Sequence, residues 1–291
     1  MKSKVRKAVI PAAGLGTRVL PASKAIPKEM LPIVDRPAIQ FIVEEAVSAG
    51  ITDILIITNR GKGAIEDHFD HSFELESTLR MRNKLKELRE IEGLGSLANI
   101  SFLRQNETAG LGHAILKAKT FVDNEPFAVL YGDDVVIGDI PAIGELIEVY
   151  DEYGLGVAGV KPVSAEQIVK YCTLKVEPVS DKLMKISDMI EKPQPNEIMS
   201  LYSILGRVVL PPDIFTILET IPKGAGNELQ LTDAMRELAR KEGMMGIEYS
   251  GKRYDMGNKL SIMQANVEQA LVHKEIGKDF KEYIKQLAKT L

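Results

Sequence analysis

The sequence predicts an α/β fold: a doubly wound, mainly parallel sheet with an added mixed β region and C-terminal helices. Three observations carry this. Continuous apolar runs of strand length alternate with helix-period segments up to about residue 150. Four further strand-like runs then follow with little helix between them. The residues that carry chemistry fall just after apolar runs, at strand carboxyl ends, where open parallel sheets bind ligands.

Taken in order, Lys7 to Ala12 reads as a buried strand. "AIQFIVEEAVSAGI", 38 to 51, places Ile39, Ile42, Val43, Ala46 and Val47 at helical spacing, with Gly50 as a stop. "DILIITN", 53 to 59, is a second strand. Phe73 to Glu92 is a charged helical surface excursion. "ISFLRQ", 100 to 105, and "PFAVLYGDD", 126 to 134, are the third and fourth strands, with a glycine-led helix over 110 to 122 between them. The later strands are expected in "GLGVAGVKPV", "YCTLKVEPV", "LMKISDMIEKP" and "LYSILGRVVL", forming the other wall of a cleft. A helix capped near Thr232 or Asp233 precedes a return to strand in "MMGIEYSGKRYDMG", and 259 to 289 read as helices with charged outer faces. The expected division is a catalytic domain over 1–258, with halves at 1–150 and 151–258, and a helical segment over 259–291.

Composition narrows the function classes. Hydrophobic residues make up 45% and charged residues 27% of the 291, the mix of a globular protein with a sizeable core. A net charge of −4 argues against nucleic acid as partner, so any anion must be held by local bases and backbone N–H groups. The single cysteine, Cys172, excludes a disulfide framework within the chain. The start, "MKSKVRKAVI", is basic and then apolar, but its apolar run is too short for a targeting segment. No run approaches a membrane span, and the cytoplasm is the expected compartment.

"VIPAAGLGTRVLPASKAIPKEMLP", 9 to 32, leads from a strand into a glycine turn. A Walker loop needs Lys-Ser/Thr after its second glycine, where this chain has Thr17-Arg18. A dinucleotide loop needs a third glycine where Val19 stands. What remains is a turn whose N–H groups can face phosphate oxygens, with Arg18 and Lys28 as cations. Asp133-Asp134 ends the fourth strand, where a carboxylate can hold Mg2+ against a phosphate, and Asp255 in "KRYDMG" is a candidate second carboxylate. Glu191-Lys192-Pro193 delivers an acid and a base together; taken alone, the pair reads as a surface ion pair. Gln105 with "AGLGHA", 109 to 114, offers an amide that can read a base edge. His113 reads as a packing or hydrogen-bonding residue. His68 and His71, beside Asp67 and Asp70, read as a solvated face rather than a metal cluster.

Together these stretches resemble the bacterial UTP–glucose-1-phosphate uridylyltransferase family. The opening signature "PAAGLGTRVLPASKAIPKEMLPIVDRPAIQ" is followed in family order by "GLGHA", "GDD", "EKP", "NELQLTDAM" and "GKRYDMGNKL", over about residues 5 to 270. The resemblance implies a nucleotide-diphosphosugar transferase fold. It implies UTP and α-D-glucose 1-phosphate as substrates, Mg2+ as cofactor, and a homodimer or homotetramer. By the same resemblance Ala12, Ala13, Gly14, Gly16, Thr17 and Arg18 line the nucleotide, and Lys28 neutralises phosphate charge. Glu29, Gln105 and Gly110 surround uracil, Asp133 and Asp255 hold magnesium, Glu191 binds glucose hydroxyls and Lys192 the sugar phosphate. Arg18, Lys28, Asp133 and Lys192 form the catalytic set it implies.

Three positions depart from the family pattern. Tyr171-Cys172 stands where Tyr-Gly is usual in the sugar pocket; if that glycine used φ > 0, the backbone must shift. Gly206-Arg207-Val208 lacks the usual tyrosine. "MGNKLSIM" differs just before the C-terminal helices. Alternatives left open are another base or sugar, such as dTTP or an amino sugar phosphate, and a sugar-nucleotide-binding paralogue with weak catalysis. Ile262, Ala265, Val267 and Leu271 are expected to offer an apolar interface face.

Overall fold

The computed structural model describes residues 5–290, so Met1 to Lys4, which open the basic start, and Leu291 lie outside the described residues. Thirteen strands follow in order within that range: β1 Lys7–Pro11, β2 Pro32–Ile33, β3 Arg36–Pro37, β4 Asp53–Thr58, β5 Asn99–Arg104, β6 Phe127–Leu130, β7 Asp134–Ile137, β8 Gly156–Pro162, β9 Cys172–Pro178, β10 Leu183–Glu191, β11 Tyr202–Leu210, β12 Met244–Ile247 and β13 Lys252–Asp255. Nine of them make one sheet in the order β5-β4-β1-β6-β11-β8-β12-β10-β9. The block β5-β4-β1-β6 is parallel, β11 runs antiparallel to both β6 and β8, and β10 is antiparallel to β12 and β9. The late strand-like runs therefore extend the first sheet rather than building a second one.

Both faces of this sheet are covered, which is why its central strands read as unbroken apolar runs. Ala8, Ile10, Ile54, Ile56, Ala128 and Leu130 face one core layer, shared with helices Ala38–Ser48 and Ala142–Tyr153. Val9, Leu55, Ile57, Phe127 and Val129 face the other, shared with helices Leu111–Lys117, Ile214–Thr220 and Leu231–Glu242. The alternation at period two along each strand decides which helix each residue meets.

Several boundaries differ from the sequence reading, each for a local reason. The run 126 to 134 breaks after Leu130. Gly132 donates to Pro11 O at 3.2 Å, and Asp134 opens β7, which pairs with β13 in a separate two-stranded sheet. The excursion 73 to 92 is two helices, Phe73–Met81 and Leu85–Leu94, parted at Asn83 with φ 57°. The helix expected to be capped near Thr232 or Asp233 starts earlier, at Leu231 after Gln230 and with no side-chain cap, so Thr232 is its second residue. Of the expected interface face, Ala265 is buried in the first core layer and Ile262 packs against it, whereas Leu260, Met263 and Val272 on the same helix are exposed.

The departure before the C-terminal helices has a structural reading. Asn258 Oδ1 accepts from the N–H groups of Leu260 and Ser261 at 2.9 and 3.1 Å and so caps the helix Lys259–Val272. Asparagine serves as an N-cap as well as aspartate does. Asn258→Ala is expected to cost about 1 kcal/mol, read as a lower urea midpoint with unchanged slope.

Candidate functional site

The carboxyl ends of the parallel block converge on one rim. The turn Ala12–Gly16 follows β1, Asn59 and Lys62 follow β4, Gln105 follows β5, and Asp133 follows β6. Backbone bonds stitch these ends together: Ala12 N–H to Ile57 O at 2.8 Å and Gln105 N–H to Thr58 O at 2.7 Å. The Asn59 amide donates to Ala13 O. The glycine turn closes at Gly16 with φ 67°, a conformation that side chains other than glycine, Asn or Asp rarely adopt. Ser23 Oγ donates to Gly16 O at 2.7 Å and holds the turn. The following 3₁₀ turn, Thr17–Val19, carries Arg18.

A cavity of about 410 Å³ lies on this rim. Ala13, Gly14, Thr17, Lys28, Glu29, Gln105, Gly110, Tyr131 and Asp133 are among its walls. Gly110, at φ 103°, has room for no side chain, since a Cβ there would lie 2.6 Å from Leu229 O. Leu229 N–H in turn donates to Ala109 O at 2.9 Å, so the "NELQLTDAM" loop closes this wall.

Charges cluster on the cavity floor. Lys28 Nζ is hydrogen-bonded to Asp133 Oδ2. Arg18 reaches Asp255 Oδ2 at 3.1 Å and Asp133 Oδ2 at 3.8 Å. A carboxylate from the β6–β7 turn and one from the end of β13 thus share one guanidinium. Burial by itself would raise the Asp133 carboxyl, but the charge and hydrogen bond of Lys28, with Arg18 and Arg253, outweigh it and hold it below the ordinary range. Burial pushes the neighbouring Asp134 the other way, up to about 6, against the pull of Arg253 and with Asp133 and Asp255 adding to the rise. Asp134 Oδ1 lies within ion-pair distance of Arg253 Nη2 yet forms no hydrogen bond. Glu29 and Lys62 form a second, fully buried pair, with Nζ 2.8 Å from both carboxylate oxygens.

The sugar-side residues predicted from sequence lie at the other edge. Glu191 ends β10, and its Oε2 accepts from Thr232 Oγ1 at 2.9 Å. Lys192 is exposed and left-handed, with φ 47°, and its N–H donates to Tyr171 O at 2.7 Å. A non-glycine residue held there carries backbone strain. Tyr131 joins the two edges. It lines the cavity, and burial together with Cys172, Glu191, Asp134 and Asp133 raises its phenol well above the ordinary value.

Cys172 pairs with Glu191 across β9 and β10 without a left-handed φ, so no glycine-only backbone is required there. Its thiol turns into the core, 3.4 Å from Ser203 Oγ, and burial pushes it up to about 11. Val208 is fully buried and pairs with Val129 and Ala158. On the histidine face, His68 Nε2 meets Gln40 Oε1 at 3.1 Å and His71 Nδ1 meets Glu76 Oε1 at 3.2 Å. The sequence assigns no site role to Lys62, Arg253, Thr232 or Tyr131. Lys62 has ordinary spacing and no local motif, Thr232 and Arg253 lie inside motif stretches without a role of their own, and Tyr131 stands directly before Gly-Asp-Asp.

Comparison with known proteins agrees with this geometry. The model of the nucleotidyl transferase family matches residues 7–270. A UTP–glucose-1-phosphate uridylyltransferase of Bacillus subtilis is 51% identical over 289 residues, covering 99% of this chain and 97% of the relative. A UTP-bound UGPase from Acinetobacter baumannii superposes with a TM-score of 0.90 at 38% identity, covering 97% of this chain and 99% of that one. A UDP-glucose pyrophosphorylase complexed with UDP-glucose gives a TM-score of 0.82 at 39% identity, over 90% and 97%.

Proposed function

Since the chain belongs to the nucleotidyl transferase family, we propose that it transfers the uridylyl group of UTP to α-D-glucose 1-phosphate, releasing pyrophosphate and UDP-glucose. The observation that carries this is the convergence of Arg18, Lys28, Asp133 and Asp255 on the floor of a glycine-turn cavity. That arrangement suits a reaction between two anions.

A phosphate oxygen of glucose 1-phosphate attacks the α-phosphorus of UTP in line. The new P–O bond forms as the bond to the bridging α–β oxygen breaks, and pyrophosphate leaves with the electron pair. The nucleophile is already anionic, so no general base is needed, and positioning with charge neutralisation supplies most of the catalysis. In this reading Ala12, Ala13, Gly14, Gly16 and Thr17 line the nucleotide and its phosphates, with the N–H groups of the glycine turn beyond Ala12 facing phosphate oxygens. Arg18 and Lys28 offset its charge. Gln105, Gly110 and Glu29 bound the uracil. Glu191 accepts from glucose hydroxyls beside Cys172, and Lys192 meets the sugar phosphate.

Asp133 and Asp255 suit a divalent cation, which we take to be magnesium, because both lie within ion-pair distance of one cationic group, Arg18. Magnesium commonly takes one or two carboxylates with phosphate oxygens and waters. Bound there, it would neutralise phosphate charge. The nucleotide half at 1–150, a sugar-side half at 151–258 and the helical segment 259–291 follow this division of labour. We further infer a homodimer or homotetramer acting in the cytoplasm; no helix of the described residues is long and apolar enough to cross a membrane.

A pyrophosphate-release panel tests the reading. UTP with glucose 1-phosphate is expected to give the highest kcat/KM, and greater turnover of dTTP or of an amino sugar phosphate would overturn it. Direct transfer also predicts that UTP alone leaves no uridylylated protein by mass spectrometry.

A further inference from the structure

Gln105 is buried at the end of β5, and its amide meets two groups in the helix start that follows. Its Nε2 lies 3.4 Å from Gly110 O and 2.9 Å from His113 Nδ1. A peptide carbonyl only accepts, so the nitrogen end of the amide must face Gly110. The same nitrogen then donates to His113 Nδ1, which requires the neutral ring with its proton on Nε2. Gln105 Oε1 has no hydrogen bond among the described residues and is not a buried orphan; the residue lines the cavity.

This orientation has a consequence for the base. Uracil presents N3–H as a donor, which a carbonyl oxygen accepts. Cytosine presents a bare N3, which would set lone pair against lone pair. An amide turned round would reverse the preference. We propose that His113 is a positioning residue for base selectivity: by accepting at Nδ1 it fixes the Gln105 amide so that Oε1 reads uracil and rejects cytosine. Gly110 O contributes the same constraint at a longer distance, so His113 is the stronger of the two holds. This inference rests on the uridylyltransferase reading.

The test compares kcat/KM for UTP and CTP, each with glucose 1-phosphate, in the full chain carrying His113, His113→Asn or His113→Leu. Asn Oδ1 can occupy the place of Nδ1, so His113→Asn is expected to keep the UTP/CTP ratio within about threefold. His113→Leu removes the acceptor, and the ratio is expected to fall about tenfold or more. A ratio unchanged in His113→Leu, with both nucleotides slowed equally, would overturn the proposal. So would its collapse in His113→Asn. A wild-type chain inactive with UTP would instead sink the uridylyltransferase reading. Nitrogen-15 spectra of the four histidines, with His113 assigned by its loss in His113→Asn, give a readout independent of activity and of whether the leucine variant folds. They are expected to show His113 protonated on Nε2 and bare on Nδ1; the opposite tautomer would overturn the proposal.

Discussion

Lys28→Met is expected to lower kcat/KM for UTP by about 10³-fold, the scale of removing one preorganised group that meets developing charge. The Lys28 ammonium is buried, which by itself favours the neutral form, yet Asp133 and Glu29 hold it charged and raise its pKa above the ordinary value. It is therefore a cation fixed at the cavity floor before any substrate arrives. A second effect reaches Asp133. Without Lys28, burial is opposed by Arg18 and Arg253 but not by its strongest partner, and the Asp133 carboxyl rises from its depressed value. In the proposed mechanism Asp133 acts as a carboxylate, so activity is expected to fall once pH drops through its pKa. The acid limb of the pH–rate profile is expected to move to higher pH in Lys28→Met. A variant within tenfold of the parent, with an unmoved acid limb, would show that Lys28 is not part of the catalytic floor.

Much of this site was legible in the sequence because strand ends place chemistry on a rim. The glycine turn, Lys28, Gln105, Asp133 and Asp255 stand one to a few residues beyond apolar runs or in a named turn, and the fold needs only a parallel sheet to gather them. What could not be read were contacts across long separations between residues of ordinary type. Lys62 is one base in a loop, yet it neutralises Glu29 in the cavity wall. Arg253 precedes Asp255 by two residues and so faces the same way along β13, but only the pairing with β7 sets it against Asp134. Thr232, a good capping type, lies inside the helix that starts at Leu231 and instead donates to Glu191 across 41 residues. Cys172 stands where the sequence places the sugar pocket, and Val208 where a tyrosine is usual. Strand pairing turns the thiol toward Ser203 and buries the valine in the core.

The largest stability effect is expected from a charge pair that the amphipathic pattern concealed. Glu45 lies on the buried face of helix Ala38–Ser48, and Arg207 is fully buried in β11. Arg207 Nε and Nη2 reach Glu45 Oε2 at 3.1 and 2.6 Å, and Nε reaches Oε1 at 3.0 Å. Glu45 Oε1 also accepts from Ile143 N–H at 2.9 Å, and Arg207 Nη1 donates to Gly206 O at 3.1 Å. Glu45→Ala leaves a guanidinium and a peptide N–H buried without their partner. Such a break costs about 3–5 kcal/mol, read as a lower denaturant midpoint at constant slope. Glu45→Leu with Arg207→Met removes both charges and is expected to recover most of that loss, all but about 1–2 kcal/mol for the orphaned Ile143 N–H. Gly206 O also accepts from Tyr131 N–H at 2.8 Å, so the pair secures the β6–β11 seam immediately before Asp133. Activity in Glu45→Ala should accordingly fall at temperatures below global unfolding, while the double variant keeps it. Equal stability of Glu45→Ala and the parent would mean that water reaches Arg207 and that the seam is held by strand pairing alone.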